Sequence, residues 1–170
     1  MSKTILKTMI AGAILLTSTQ MISQTKTNAT YMTVVYSVVK TVALDLSSTG
    51  INATIQVPEG VSIIPDKYSI LIGNGKDILI SIEESYSPFS EKVAFTKGNS
   101  VRGFVKFIKQ DETSYIAEMN PFGSQKEYDF AYFIELNGTK YVLQDPGSER
   151  NADLKSLEAI FNIAKTIKAN

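Results

Sequence analysis

The sequence predicts an α+β fold: an antiparallel sheet built of hairpins and a meander, with a short central helix and a C-terminal amphipathic helix packed on it. Three observations carry this expectation. In residues 128–136, Tyr128, Phe130, Tyr132, Ile134 and Leu136 alternate with Asp129, Ala131, Phe133 and Glu135. That is the period-two pattern of a strand with one strongly apolar face. Asn137-Gly138 follows, and both residue types tolerate the positive φ that a two-residue type I′ turn requires. Such a turn sets the register, so Glu135 should face Lys140, Ile134 Tyr141, Phe133 Val142 and Tyr132 Leu143. Finally, Leu154, Leu157, Ile160, Phe161, Ala164 and Ile167 recur at helical spacing and form one apolar stripe.

Taken in order, residues 1–24 read as a secretory signal peptide. Lys3 and Lys7 form the positive start, residues 9–16 are a short apolar run, and small and polar residues lead to Ser23 and Gln24, where cleavage is expected. An uncleaved anchor is the alternative, but the run is shorter than the roughly 20 residues a span takes. The mature protein is therefore expected to be periplasmic or secreted, as a bacterial exported domain. Residues 25–40 read as a flexible or docked N-terminal arm. Its second half, YMTVVYSVV, is β-branched and aromatic and favours an extended form. Residues 41–170 make a single α+β domain.

Within it, residues 41–46 and 51–57 flank Ser47-Ser-Thr-Gly50 as a hairpin. Pro58-Glu59-Gly60 ends the second strand, and residues 61–64 form a short extended piece closed by Pro65-Asp66. Residues 68–72 and 77–82 surround Asn74-Gly75, a second Asn-Gly hairpin, and are apolar on both faces as covered central strands are. Residues 87–98 carry the signals of a short helix. Ser87 is the expected N-cap, Pro88 the first helical residue and Gly98 a left-handed terminator, with Phe89 and Val93 on one face. Residues 101–109 and 114–120 form a hairpin whose best register pairs Lys106 with Glu118, Phe107 with Ala117, Val105 with Met119 and Ile108 with Ile116. The final helix should be capped by Asn151 or Asp153, with Lys165 and Lys168 in its last turn, where cations suit the helix dipole.

Composition removes several function classes. The chain has 17 basic and 17 acidic residues; without Lys3 and Lys7 it is slightly acidic, with no clustered basic face to suggest nucleic acid. It has no Cys, hence no disulfide, thiol nucleophile or thiolate metal site, and no His, the commonest general base and metal ligand. No cofactor and no metal are expected. Gly73-Asn-Gly75 lacks the Lys-Ser/Thr of a phosphate-binding loop. Glu83 and Glu84 are adjacent in a strand and so point to opposite faces. Asp145, Glu149 and Asp153 lack the spacing of a calcium loop and suit helix capping better.

The Pro58-Glu59-Gly60 strand end, the central helix, the meander and the closing EAIFNIAKTIK helix together resemble the PsbP-like group over about residues 50–168. That group includes a photosystem II subunit, a nuclear-import factor and bacterial secretion-associated chaperones. Val61 stands where the group usually has an aromatic residue, and residues 164–168 match its terminal pattern loosely. The resemblance implies a non-enzymatic protein that acts through protein contacts. A cystatin-like cone is the alternative fold, but its long helix belongs near the N-terminus.

Aromatic residues concentrate in the C-terminal third, and most must be core beneath the final helix. Phe104, Ile108, Ile116, Phe133 and Val142 give the other face an apolar stripe and are the candidate binding face. The expected function is an exported non-enzymatic protein-binding module, an accessory, chaperone or immunity-type factor. The alternative is a carrier holding a small apolar ligand between sheet and helix.

Overall fold

A computed structural model describes residues 40–74, 77–123, 126–147 and 153–170. The signal-peptide segment and the arm as far as residue 39 lie outside these residues. The described residues are mostly antiparallel sheet with two α-helices, an α+β architecture.

The strands are β1 (Thr41–Asp45), β2 (Ala53–Pro58), β3 (Ser62–Pro65), β4 (Ile70–Asn74), β5 (Asp77–Glu84), β6 (Phe104–Gln110), β7 (Ser114–Met119), β8 (Glu127–Leu136), β9 (Thr139–Gln144) and β10 (Lys168–Ala169). Helix α1 (Phe89–Gly98) joins β5 to β6, and α2 (Leu154–Ala164) follows β9. Seven strands form one sheet in the order β3-β4-β5-β9-β8-β7-β6, and β1-β2-β10 form a smaller one. The large sheet is therefore two sequential runs joined where β5 lies beside β9, with Ile82 opposite Leu143 and Glu84 opposite Tyr141.

The β8–β9 hairpin turns on Asn137 (φ 52) and Gly138 (φ 84), both left-handed, as a type I′ turn requires. Glu135 faces Lys140, Ile134 Tyr141, Phe133 Val142 and Tyr132 Leu143. In the β6–β7 hairpin, Lys106 faces Glu118 and Phe107 faces Ala117 as expected, but the register shifts on both sides of this pair. Phe104, not Val105, faces Met119, and Lys109, not Ile108, faces Ile116. Val105 and Ile108 are the extra residues of two β-bulges, which no hydrophobic period announces. Asn74 also departs from expectation: it is the last paired residue of β4, opposite Asp77; Gly75 lies outside the described residues.

The main core lies between the large sheet, the small sheet and α2. Ala53, Ile55 and Val57 alternate inward from β2 and join Ile80 and Ile82, Phe130, Leu143, and the α2 stripe of Leu157, Ile160, Phe161 and Ala164. Tyr132 and Ile134 pack against this cluster, and Phe130 meets Phe161 edge to face at 5.8 Å. Asp153 caps α2 by accepting the Ser156 amide hydrogen at 2.7 Å. Neither Lys165 nor Lys168 is in the last turn of α2; Lys165 is its C-cap residue. The helix ends at Ala164, and Lys168 pairs with Thr54 of β2 instead.

The ends of α1 also differ from their sequence signals. Pro88 is the extended N-cap residue (φ −69, ψ 155), and no side chain caps the helix. The Ser87 carbonyl is engaged by the Ser85 hydroxyl at 3.0 Å. Gly98 stays helical, and the Asn99 amide closes onto the Thr96 carbonyl without a left-handed residue.

Candidate functional site

Helix α1 lies against the face of the large sheet opposite α2. Tyr115, Ala117, Met119, Ala131 and Val142 are buried there, with Phe89, Val93, Phe104, Phe107 and Phe133 packed against them. Ring contacts run in a chain: Phe133 to Phe89 at 5.3 Å, Phe89 to Tyr115 at 6.2 Å, Tyr115 to Phe107 at 5.1 Å and Phe107 to Phe104 at 4.8 Å. The bulge at Val105 makes the last contact possible. Residues three apart in a regular strand point to opposite faces, and one extra residue brings Phe104 and Phe107 onto the same one.

A single ten-residue helix covers this shelf. Thr96 is the only residue of α1 that is buried, and its hydroxyl lies 2.9 Å from the Tyr115 phenol. Burial and the nearby Asp129 charge push the Tyr115 phenol up, so it stays neutral. Lys92 donates to Gln144 at 2.7 Å, and Gln144 donates to Glu83 at 3.0 Å. Phe104, Phe107 and Phe133 remain half-buried, while Phe95 is 66% exposed, Val101 63% and Val105 47%. Lys97 lies over the Phe107 ring at 5.5 Å.

The segment leading from α1 into β6 is pinned by charge. Arg102 pairs with Asp129 at 3.0 Å and with Glu127 at 3.8 Å. Burial pushes the Asp129 carboxyl above its ordinary range, against the pull of Arg102 and Lys92. Gly103 is left-handed (φ 58), and a Cβ there would run into the Asn120 carbonyl. The Asn120 amide in turn donates to the Gly103 carbonyl at 2.8 Å. The close approach needs glycine.

Of the five residues proposed from sequence as a binding face, Phe104, Phe133 and Val142 meet on the α1 side. Ile108 and Ile116 do not join them. Ile116 is fully buried in the main core on the α2 side, and Ile108 packs against that core. Two causes are visible. The bulge reverses the facing of Ile108 relative to Phe104, and the β7–β8 register sets Ile116 opposite Phe130 rather than on the Phe133 face. Phe89, Phe107 and Tyr115, which build most of the shelf, were not singled out together by sequence. Phe89 and Val93 on one helix face were the available signal.

A second concavity lies at the edge of the main core. A groove of about 410 Å³ runs between the residue 49–51 turn, the residue 66–70 loop and the end of β5 beside Tyr141. Asp66 shapes its wall by accepting the Tyr68 amide hydrogen and the Ser69 hydroxyl, each at 3.2 Å. These bonds hold the Asp66 carboxyl below its ordinary range; Tyr68 itself is 81% exposed. Glu83 and Glu84 separate as the strand period requires. Glu83 binds Ser81 and Gln144, while Glu84 hydrogen-bonds the phenol of the exposed Tyr86.

Among the described residues, no group of three acidic side chains converges to hold a metal ion. No helix among them is long and apolar enough to cross a membrane. No protein-family model matches the chain, and no curated protein matches it.

Proposed function

We propose that the chain is an exported, non-enzymatic protein-binding module of PsbP-like type that docks a partner on its α1 side. One observation carries the reading: a chain of aromatic rings with one thin helix over it, with Phe95 on that helix and Val101 and Val105 just after it in the chain exposed. Large apolar side chains held half-open on a rigid sheet are the usual makings of a contact surface. The order of hairpin, central helix, meander and terminal helix supports the family resemblance. The absence of His and Cys from the sequence supports binding over catalysis near neutral pH.

A photoreactive side chain at position 95 or 101 should cross-link one discrete protein in extract of the native host. The same group at Asn162, exposed on α2, should not. Phe95→Ser and Val105→Ser should reduce the adduct without moving the unfolding midpoint. Equal labelling at all three positions would refute the reading. Export has its own test: the mature protein should begin at or near Gln24, and an intact Met1 on native protein would overturn it.

Carriage of a small apolar ligand is the second reading. The α2 side supports it least, because Phe130, Leu157, Ile160 and Phe161 already fill the space between helix and sheet.

A further inference from the structure

Helices α1 and α2 are nearly equal in length but are held to the sheet in different ways. From α2, Leu157, Ile160, Phe161 and Ala164 are buried. From α1, Thr96 alone is buried, with Phe89 and Val93 partly covered. Its other ties to the sheet are polar or charged. The Thr96 hydroxyl meets the Tyr115 phenol at 2.9 Å, Lys92 donates to Gln144 at 2.7 Å, and Lys97 lies over the Phe107 ring at 5.5 Å. The helix is also weak in itself. No side chain caps its N-terminus, it ends on Gly98, and its ten residues are too few to be stable alone in water.

The chain on either side of α1 is fixed to the sheet. Before it, the Ser85 amide donates to the Lys140 carbonyl at 2.8 Å, which prolongs the β5–β9 pairing. After it, the Asn99 side chain accepts the Arg102 amide hydrogen at 3.0 Å and the Asn99 carbonyl accepts that of Gly103 at 3.1 Å. Arg102 is in turn anchored on Asp129. Between these feet lie two joints. Pro88 is extended, and Gly98 has open space where a Cβ would stand. We infer that α1 is a lid, which lifts from the sheet as one unit about Pro88 and Gly98 while the rest of the fold stays closed. Segments with little buried apolar surface are the first to open. Lifting bares Tyr115, Ala117 and Ala131, all buried when the helix is down. The lid stands on the contacts of α1 alone; that it gates docking rests on the docking proposed above.

The sequence has no Cys, so one engineered thiol reports on one place. Ala131→Cys sets it opposite Tyr115 on the α1 side, and Ala164→Cys sets it in the closed core on the α2 side. Under native conditions, with an excess of a chromogenic disulfide reagent, the thiol at position 131 should react about tenfold faster or more. Gly98→Ala stiffens one joint and should slow that reaction roughly twofold or more. Lys92→Met removes a latch and should speed it. Neither should change the rate at position 164. In the unsubstituted chain, the α1 amides should exchange with deuterium together and ahead of those of α2 and β8, a readout that needs no engineered thiol. Equal reaction rates at the two positions, α1 amides that exchange only along with those of α2 and β8, or a rate at position 131 unmoved by both substitutions would overturn the lid. Its failure would leave cross-linking at position 95 or 101 as the test of docking, and failure of that cross-linking would leave the lid standing.

Discussion

The two faces of the large sheet are made by the same strands, yet they are closed to very different degrees. On the α2 side, the helix and a second sheet enclose Phe130, Leu143, Leu157, Ile160 and Phe161, all at 8% exposure or less. On the α1 side, one helix with a single buried residue lies over a layer in which Tyr115 is buried but the rings of Phe89, Phe104, Phe107 and Phe133 stay half-open. The sequences of the two helices differ accordingly. The apolar residues of α2 fall on one stripe, whereas α1 presents Phe89 and Val93 to the sheet and Phe95 to solvent. The first face holds the molecule together, and the second keeps apolar surface in reserve for contact.

The largest expected effect is on the closed side. Phe161→Ala should cost on the order of 3–5 kcal/mol in a denaturant titration, the usual range for emptying a buried aromatic site. A loss below about 1 kcal/mol would mean that α2 does not seal the core there. Phe89→Ala on the open side should cost about half as much, because the ring is only half-buried. Equal costs for the two would erase the contrast between the faces.

A hydrogen bond inside the shelf gives the next effect. Tyr115→Phe strands the buried Thr96 hydroxyl and should cost roughly 1–2 kcal/mol. Adding Thr96→Val should restore part of the loss, since removing both partners leaves no unsatisfied group.

Two carboxylates let pH sharpen the comparison. Burial opposes ionisation of Asp111 on the β6–β7 turn, but the Thr113 amide, the Ser114 hydroxyl and Lys165 outweigh it and hold its carboxyl well below the usual range. Its stabilisation is therefore present above the unfolded value near 4 and lost as pH falls through the lower folded value. Asp129 on the α1 side is raised instead, so its ionised form is disfavoured in the folded chain and acid relieves it. Below about pH 4, Asp111→Asn should flatten the acid loss of stability, whereas Asp129→Asn should remove a gain that builds as pH falls through the raised folded value towards 4. Unfolding midpoints measured across that range check both signs. The smallest effect belongs to the Lys109–Glu158 bridge between β6 and α2, 2.8 Å long but solvent-facing. Lys109→Ala should change stability by no more than about 0.5 kcal/mol.

What was legible in the sequence depended on how local its cause was. The β8–β9 register follows from Asn137-Gly138 alone, because a two-residue turn leaves no freedom to slip. The α2 stripe, with Asp153 before it, is equally local. The bulges at Val105 and Ile108 are not, and they break the two-residue period on which the assignment of Ile108 to the Phe104 face rested. The side on which Ile116 lies depends on β7–β8 pairing across an irregular loop, and the β5–β9 contact depends on strands from different halves of the chain. Neither leaves a mark in a short window. The shelf was therefore only partly visible: Phe104, Phe133 and Val142 were found, and the rings of Phe89, Phe107 and Tyr115 that complete it were not.

The pairing of β10 with β2 has a consequence for how the chain reaches its fold. Lys168 meets Thr54 and Ala169 meets Ala53, and the Thr54 hydroxyl hydrogen-bonds the Asn170 side chain, 116 residues away in sequence. A contact that spans so much chain forms late, because the closure entropy comes before any gain from pairing. On a ribosome, β1 and β2 emerge long before their third strand exists. The hairpin must wait with its inner face, Ala53, Ile55 and Val57, lacking the α2 residues that cover it. Until residues 168 and 169 are made, the β1–β2 hairpin lacks its third strand and is liable to stick to its neighbours. Cutting the last three residues should therefore slow refolding and raise aggregation during it.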